Sequence, residues 1–186
     1  MGRRTIVLID GENLLLRFQE MCREPENRTV RDDIRHEQDR YVWQPEIASH
    51  RAWDLVRVSY YTTHVGTAES MASLARDLAK IRYEFDRPSR LSDYGYVVPR
   101  VFKKPKKEQK TASVDINISI DMLRHTYTDA IDEVLLVTGD GDYLPLIEEV
   151  MRQGKIVYLA ALSSGLHRSL PASVDEFIDL DSQFFI

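Results

Sequence analysis

Residues 135–146 read LLVTGDGDYLPL. A run of branched apolar residues stops at a threonine, two aspartates (Asp140 and Asp142) bracket a glycine, and a leucine-rich stretch carrying a proline follows. An all-apolar run of this length is what a strand buried on both faces of a parallel sheet needs. Beyond it Leu146, Ile147, Val150 and Met151 fall at helical spacing, which predicts an amphipathic helix ended by Gly154 at a C-cap position. Pro145 lies in the first turn, where its missing N–H costs little. The stretch therefore reads as strand, turn, helix. Its two aspartates either shape the turn or form one wall of a metal site.

The same alternation extends outward along the chain. Strand-like runs occupy 5–9 (TIVLI), 55–61, 94–102, 133–138 and 155–160, the first and last two nearly all apolar. Between the second and third, Met71, Leu74, Leu78 and Ile81 mark an amphipathic helix. The segment SVDINISIDML (113–123) alternates apolar and polar residues as a strand does, yet Ser113 also reads as an N-cap, with Ile116, Ile120 and Leu123 along one helical face. A parallel sheet needs a crossover before the strand at 133, which selects the helix. The expected fold is thus α/β, built on a central, mostly parallel sheet of five or six strands with helices on both faces.

Length and composition agree with one such unit. The chain has 186 residues, 43% of them apolar and 30% charged, and roughly 100–200 residues make one domain. We expect a single domain over 1–186. One segment, about 23–44, carries many charges and few apolar residues, and reads as a charged, mobile insertion or lid with some helix. No apolar run approaches the ~20 residues of a membrane span, and the N-terminus lacks the pattern of a signal peptide, so a cytoplasmic location is expected. A lone cysteine, Cys22, and five histidines without zinc spacing argue against a disulfide or a structural zinc.

The net charge of −5 excludes a protein that coats nucleic acid by bulk attraction. Within that acidic chain, RVFKKPKKEQK (100–110) is a basic island holding Lys103, Lys104, Lys106, Lys107 and Lys110. It is the expected grip on a substrate backbone, with Tyr94, Tyr96 and Phe102 available for stacking.

In an open parallel sheet, functional groups gather outside the carboxyl ends of the strands. Asp10 and Asn13 follow the first strand, and Asp140 and Asp142 follow the fourth. Asp115, at the start of the intervening helix, can complete the cluster. Carboxylates so gathered repel one another unless a cation sits among them, and hard oxygen donors favour Mg²⁺ or Mn²⁺. Thr138 can donate its hydroxyl to a carboxylate or to phosphate. Asp142 has a second reading as the N-cap of the following helix, one that Asp140 lacks. Glu12 reads as an exposed turn residue, Ser163 and Ser164 as caps of a following helix or phosphate contacts, and no histidine is assigned a catalytic role. P-loop, dinucleotide-binding and nucleophile-elbow motifs are absent.

Four motifs in order, IVLIDGEN, VDINISIDML, VLLVTGDGDYLPLIEEVMRQGKIVYL and SSGLHRSLPASVDEFIDL, resemble the NYN domain, specifically its LabA-like branch in the PIN-like nuclease superfamily. The resemblance covers roughly 4–18 and 110–181. It implies a PIN-like (Rossmannoid) three-layer fold, an acidic Mg²⁺ or Mn²⁺ pocket and hydrolysis of RNA phosphodiesters, the RNA single-stranded or structured. Residue by residue, it implies Asp10 and Asn13 on the first strand, Asp115 and a further acid Asp121 on the helix, and Asp140 and Asp142 after the fourth strand. Asp121 lies six residues from Asp115, about 240° round a helix, so both cannot face one ion and Asp121 ranks below the rest. A non-catalytic RNA-binding or regulatory module on the same fold is the alternative, and no feature of the sequence determines an oligomeric state.

Overall fold

The structure is a computed structural model that describes residues 3–23, 28–49, 51, 53–87, 90–106 and 111–186. In chain order its elements begin with β1 (Arg4–Asp10), α1 (Gly11–Arg23), a small hairpin of β2 (Arg35–Glu37) and β3 (Tyr41–Trp43), and the single turn α2 (Glu46–Ser49). Next come β4 (Asp54–His64), α3 (Ala68–Ala79), a second hairpin of β5 (Arg82–Arg87) and β6 (Arg90–Tyr96), and β7 (Val98–Lys103). The last third holds α4 (Ser113–Tyr127), β8 (Glu133–Val137), α5 (Leu144–Arg152), β9 (Ile156–Ala161), β10 (Glu176–Asp179) and α6 (Asp181–Phe184).

Six strands form the central sheet in the order β10-β9-β8-β1-β4-β7, every neighbouring pair parallel. Successive side chains on a strand point to opposite faces, and both faces here are covered. Val7, Ile9, Leu135, Val137 and Ala160 pack with Leu14 and Phe18 of α1 and Leu74 and Leu78 of α3. Ile6, Leu8, Val134, Leu136, Val157 and Leu159 pack with Val114, Ile118 and Met122 of α4 and Ile147 and Val150 of α5. This double burial is why β1, β8 and β9 are apolar almost throughout, and each such side chain contributes about 1.5–3 kcal/mol by leaving water. The result is a three-layer α/β fold of the PIN-like kind.

Three segments depart from the sequence reading. The first is the run at 94–102, which is two strands rather than one. Residues up to Tyr96 pair antiparallel with β5, Val97 donates its N–H to Ile81 O at 3.0 Å, and only β7 joins the main sheet. The second is α4, a helix as the crossover argument requires, but turned differently. Val114, Ile118 and Met122, at i, i+4 and i+8, face the sheet, leaving Ile116 and Ile120 54% and 46% exposed. Ala112 rather than Ser113 occupies its N-cap position, without a side-chain hydrogen bond.

The third is the charged segment at 23–44. Residues 24–27 lie outside the described residues, and residues 28–44 contain no helix. They form the β2-β3 hairpin, turned at Asp39 with φ 58°, and Val42 and Trp43 are completely buried. Tyr60 accepts the Val42 N–H and donates its hydroxyl to Val42 O at 3.1 Å. Val30 bridges to Phe185, Arg31 donates to Phe184 O at 3.0 Å, and Ile186 donates to Thr29 O at 2.8 Å. Val42 and Trp43, two apolar residues among many charged ones, anchor the hairpin on Tyr60 of β4 and Tyr83 of β5, while residues 29–31 tie the segment to the C-terminus. No helix among the described residues is long and apolar enough to cross a membrane.

Candidate active site

The chain leaves β1 in one direction towards β4 and β7, then returns through α4 to β8 on the other side of β1. The topological switch therefore lies between β1 and β8, where a crevice opens at the carboxyl ends of the strands. Asp10 closes β1 there and is 3% exposed. Its Oδ1 accepts the Asn13 N–H at 3.0 Å, capping α1, and its Oδ2 accepts the Thr138 hydroxyl at 3.1 Å. Thr138 Oγ1 in turn accepts the Asp140 N–H at 3.2 Å, and Asn13 Oδ1 accepts the Gly139 N–H at 3.0 Å. Two of these bonds, Thr138 to Asp10 and Gly139 to Asn13, stitch the ends of β1 and β8 together, and the other two shape the turn at each end. Thr138 is buried and its hydroxyl serves Asp10, the carboxylate option of the two it was given.

Of the two aspartates of TGDGD, Asp140 takes the capping role that the sequence offers to Asp142 as one of its two readings. Asp140 Oδ1 accepts the Asp142 N–H at 3.0 Å and caps a one-turn 3₁₀ helix over Gly141–Tyr143, while Asp142 is exposed. α5 begins only at Leu144. The extra tight turn moves the cap two residues upstream.

Asp115 arrives from the first turn of α4, half-buried, and its Oδ1 accepts the Tyr143 hydroxyl at 3.0 Å. Burial pushes the Asp10 carboxyl up to about 7, opposed by the Asn13 and Thr138 hydrogen bonds and reinforced by the charges of Asp115 and Glu12. Asp115 is raised chiefly by burial, then by Asp140, Glu12 and Asp142, with the Tyr143 hydrogen bond acting the other way. Tyr143 is raised by its own burial and by Asp10, Asp115 and Asp140, so its phenol stays a donor. Asp10, Asp115, Asp140 and Asp142 therefore share one electrostatic environment.

Glu12, which the sequence reading takes for an exposed turn residue, and Tyr143, which it gives no role, belong to it as well. Glu12 is not a free turn residue, because Lys104 reaches from the end of β7 to pair with it, and the Lys104 side chain is only 12% exposed. The one local clue was position: Glu12 stands two residues after Asp10, and Tyr143 three after Asp140.

The remaining candidates lie around this centre or apart from it. Lys103 and Lys106 are exposed, and Lys107 and Lys110 lie outside the described residues. Asp121 accepts hydrogen bonds from Tyr61 at 2.8 Å and Arg124 at 3.0 Å, with Arg100 at 3.8 Å, and is a structural ion-pair acid. Ser163 gives its N–H and hydroxyl to Asp181 at 2.8 and 2.6 Å, and Ser164 gives its hydroxyl to Glu20 at 3.3 Å. Neither caps a helix; both fasten the loop after β9.

The donor set suits a hard divalent cation: carboxylate oxygens, held by short turns, whose burial favours protonation until a positive charge replaces the proton. Among the described residues no group of three acidic, histidine or cysteine side chains is close enough to form a complete cage.

A crystal structure of a protein of unknown function from Vibrio parahaemolyticus RIMD 2210633 is similar in fold, with a TM-score of 0.59 and 15% sequence identity over 100% of this chain and 97% of that one. No curated protein matches the sequence. The family model of the NYN domain matches residues 4–181, nearly the whole chain. The chain therefore belongs to the NYN domain family, within the PIN-like nuclease superfamily.

Proposed function

We propose that this protein is a metal-dependent ribonuclease of the LabA-like branch, acting as a single NYN domain over 1–186 in the cytoplasm. The supporting observation is the electrostatically joined group of Asp10, Asp115 and Asp140 at the switch point, with Asp10 buried and raised to about 7. Asp10, Asp115 and Asp140 would hold a Mg²⁺ or Mn²⁺ ion, with Asp142, exposed beside Asp140, as a further ligand. When bound, such an ion lowers the pKa of an attacking water and offsets charge growing on the phosphate.

The protein's own groups prepare that chemistry. Asn13 and Thr138 keep both Asp10 oxygens oriented, while Tyr143 holds Asp115 towards the β8 turn. The Asn13 amide NH₂, its carbonyl spent on Gly139, is a donor for a phosphate oxygen. The Lys103 and Lys106 ammonium groups meet the backbone from the β7 side, and Lys104 shields Glu12. The test is incubation with single-stranded and structured RNA, with Mn²⁺ and with EDTA. Cleavage only with Mn²⁺ is expected, and no cleavage of any RNA would sink the reading. The second reading, a non-catalytic RNA-binding module, is favoured by the lack of a complete three-acid cage among the described residues. It expects RNA binding without turnover.

Tyr143→Phe isolates one of these contacts. The phenyl ring keeps its buried place and only the hydroxyl donated to Asp115 is lost. Groups that orient a metal ligand typically contribute about 10–100-fold to affinity or activity. We expect Mn²⁺ affinity by calorimetry to fall within that range at unchanged melting temperature. Unchanged affinity would relegate Tyr143 to packing.

A further inference from the structure

We infer that a single strand of nucleic acid runs along the carboxyl edge of the sheet, held on one side of the acidic pocket by His167 and Arg168 and on the other by Lys103 and Lys106. This rests on the hydrolase reading above and adds to it a second cationic contact and a direction for the strand.

Because all six strands are parallel, their carboxyl ends form one line: the loop after β9, then Asp140 after β8, Asp10 on β1, His64 on β4 and Lys103 on β7. Four strand spacings of about 4.8 Å separate β9 from β7, roughly 19 Å in all, with the pocket between. A few nucleotides of extended chain bridge that distance.

The β9 side is a built surface. His167 donates its N–H to Gly139 O at 2.9 Å, and its ring lies so close to Gly141 that a Cβ there would stand 2.5 Å from it. The imidazole is thereby seated on the glycine between Asp140 and Asp142. Ser169 donates its N–H to His167 Nδ1 at 3.4 Å, which in the neutral ring leaves Nε2–H as a donor. Gly165, at φ 64°, lets the loop turn where the Arg17 guanidinium fills the place of any side chain. With Ser163 tied to Asp181, the loop that carries His167 and Arg168 is fastened at several points.

Charge identifies the occupant. Most arginines of this protein sit in ion pairs, yet Arg168, Lys103 and Lys106 are exposed and have no carboxylate partner among the described residues. Cations left unpaired on both sides of an acidic pocket fit a polyanion that passes over it, since each phosphate supplies the missing counter-charge. The pocket itself repels that polyanion unless a cation fills it, so the flanking groups carry the grip.

The test measures binding of a labelled ten-nucleotide single-stranded RNA by fluorescence anisotropy in EDTA, across a salt series, so that no turnover intervenes. Arg168→Ala is expected to weaken binding severalfold and to reduce the slope of log K against log salt by about 0.7, the share of one phosphate contact on a single strand. Lys103→Ala with Lys106→Ala should reduce it by about 1.4. His167→Gln should weaken binding with the slope retained. Arg76→Ala, an exposed and unpaired arginine in the last turn of α3, should change nothing. Arg168→Ala binding like wild type, or Arg76→Ala losing as much, overturns the track, and if wild type still cuts RNA the hydrolase reading survives alone. Binding that follows the expected pattern without any cleavage upholds the track and removes the hydrolase. A wild-type protein that binds no RNA overturns both.

Discussion

Asp10→Asn is expected to reduce Mn²⁺-dependent RNA cleavage by more than about 100-fold and, at neutral pH, to make the metal-free protein more stable. The activity loss follows from position: groups that merely orient a ligand are worth about 10–100-fold, so the ligand itself exceeds that. The gain in stability follows from burial. The folded-state pKa of Asp10 is raised from 3.8 to about 7, so the folded protein favours the protonated acid. The stability this provides is fully present below about pH 4 and is lost as pH rises through 7, on the order of 4 kcal/mol in all. Asparagine does not titrate, and it keeps an acceptor for the Asn13 N–H. Urea melts of both proteins between pH 4 and 8 should show wild type losing stability relative to the variant over that window, and saturating Mn²⁺ should restore wild type only. A pH-independent difference would mean that Asp10 is ionised in the folded state without a metal. Retained cleavage would remove it from the site.

Trp43→Ala is expected to destabilise the protein by about 3–5 kcal/mol, the range for deleting a fully buried large aromatic. Trp43 is completely buried in the β2-β3 hairpin, near Tyr83 of β5 at a ring distance of 6.3 Å. Its indole nitrogen has no hydrogen-bond partner, so the loss is one of packing alone, and Trp43→Phe should recover most of it. A separate lid would give a different result, since surface changes usually lie within about 0.5 kcal/mol. Denaturant midpoints decide the point, with an unchanged m value showing that the hairpin melts with the rest.

Much of the layout was legible because it depends on local order. The apolar runs of β1, β8 and β9 announce strands covered on both faces, and an acid at the end of each of the first two, placed on neighbouring strands, must meet at the switch point. The bond from Asn13 to Asp10 spans three residues and that from Asp140 to Thr138 two, so spacing alone suffices to suggest them.

What failed to show in the sequence is of two kinds. Helix boundaries shift by one or two residues at little energetic difference, and one extra 3₁₀ turn was enough to give Asp140 the cap expected of Asp142. The other kind is distance along the chain. Glu12 finds Lys104 92 residues away, Tyr143 finds Asp115 28 residues back, and Trp43 packs beside β5. The apolar and polar residues of α4 alternate equally well as strand or helix, until the sheet selects Val114, Ile118 and Met122 and leaves Ile116 and Ile120 outside. The sequence by itself determined which strands are buried and which acids stand at their ends, since both follow from residue order and short spacing. Only the tertiary structure decided which of those acids are capped, paired or held by a phenol, because that depends on contacts between segments that residue order leaves far apart.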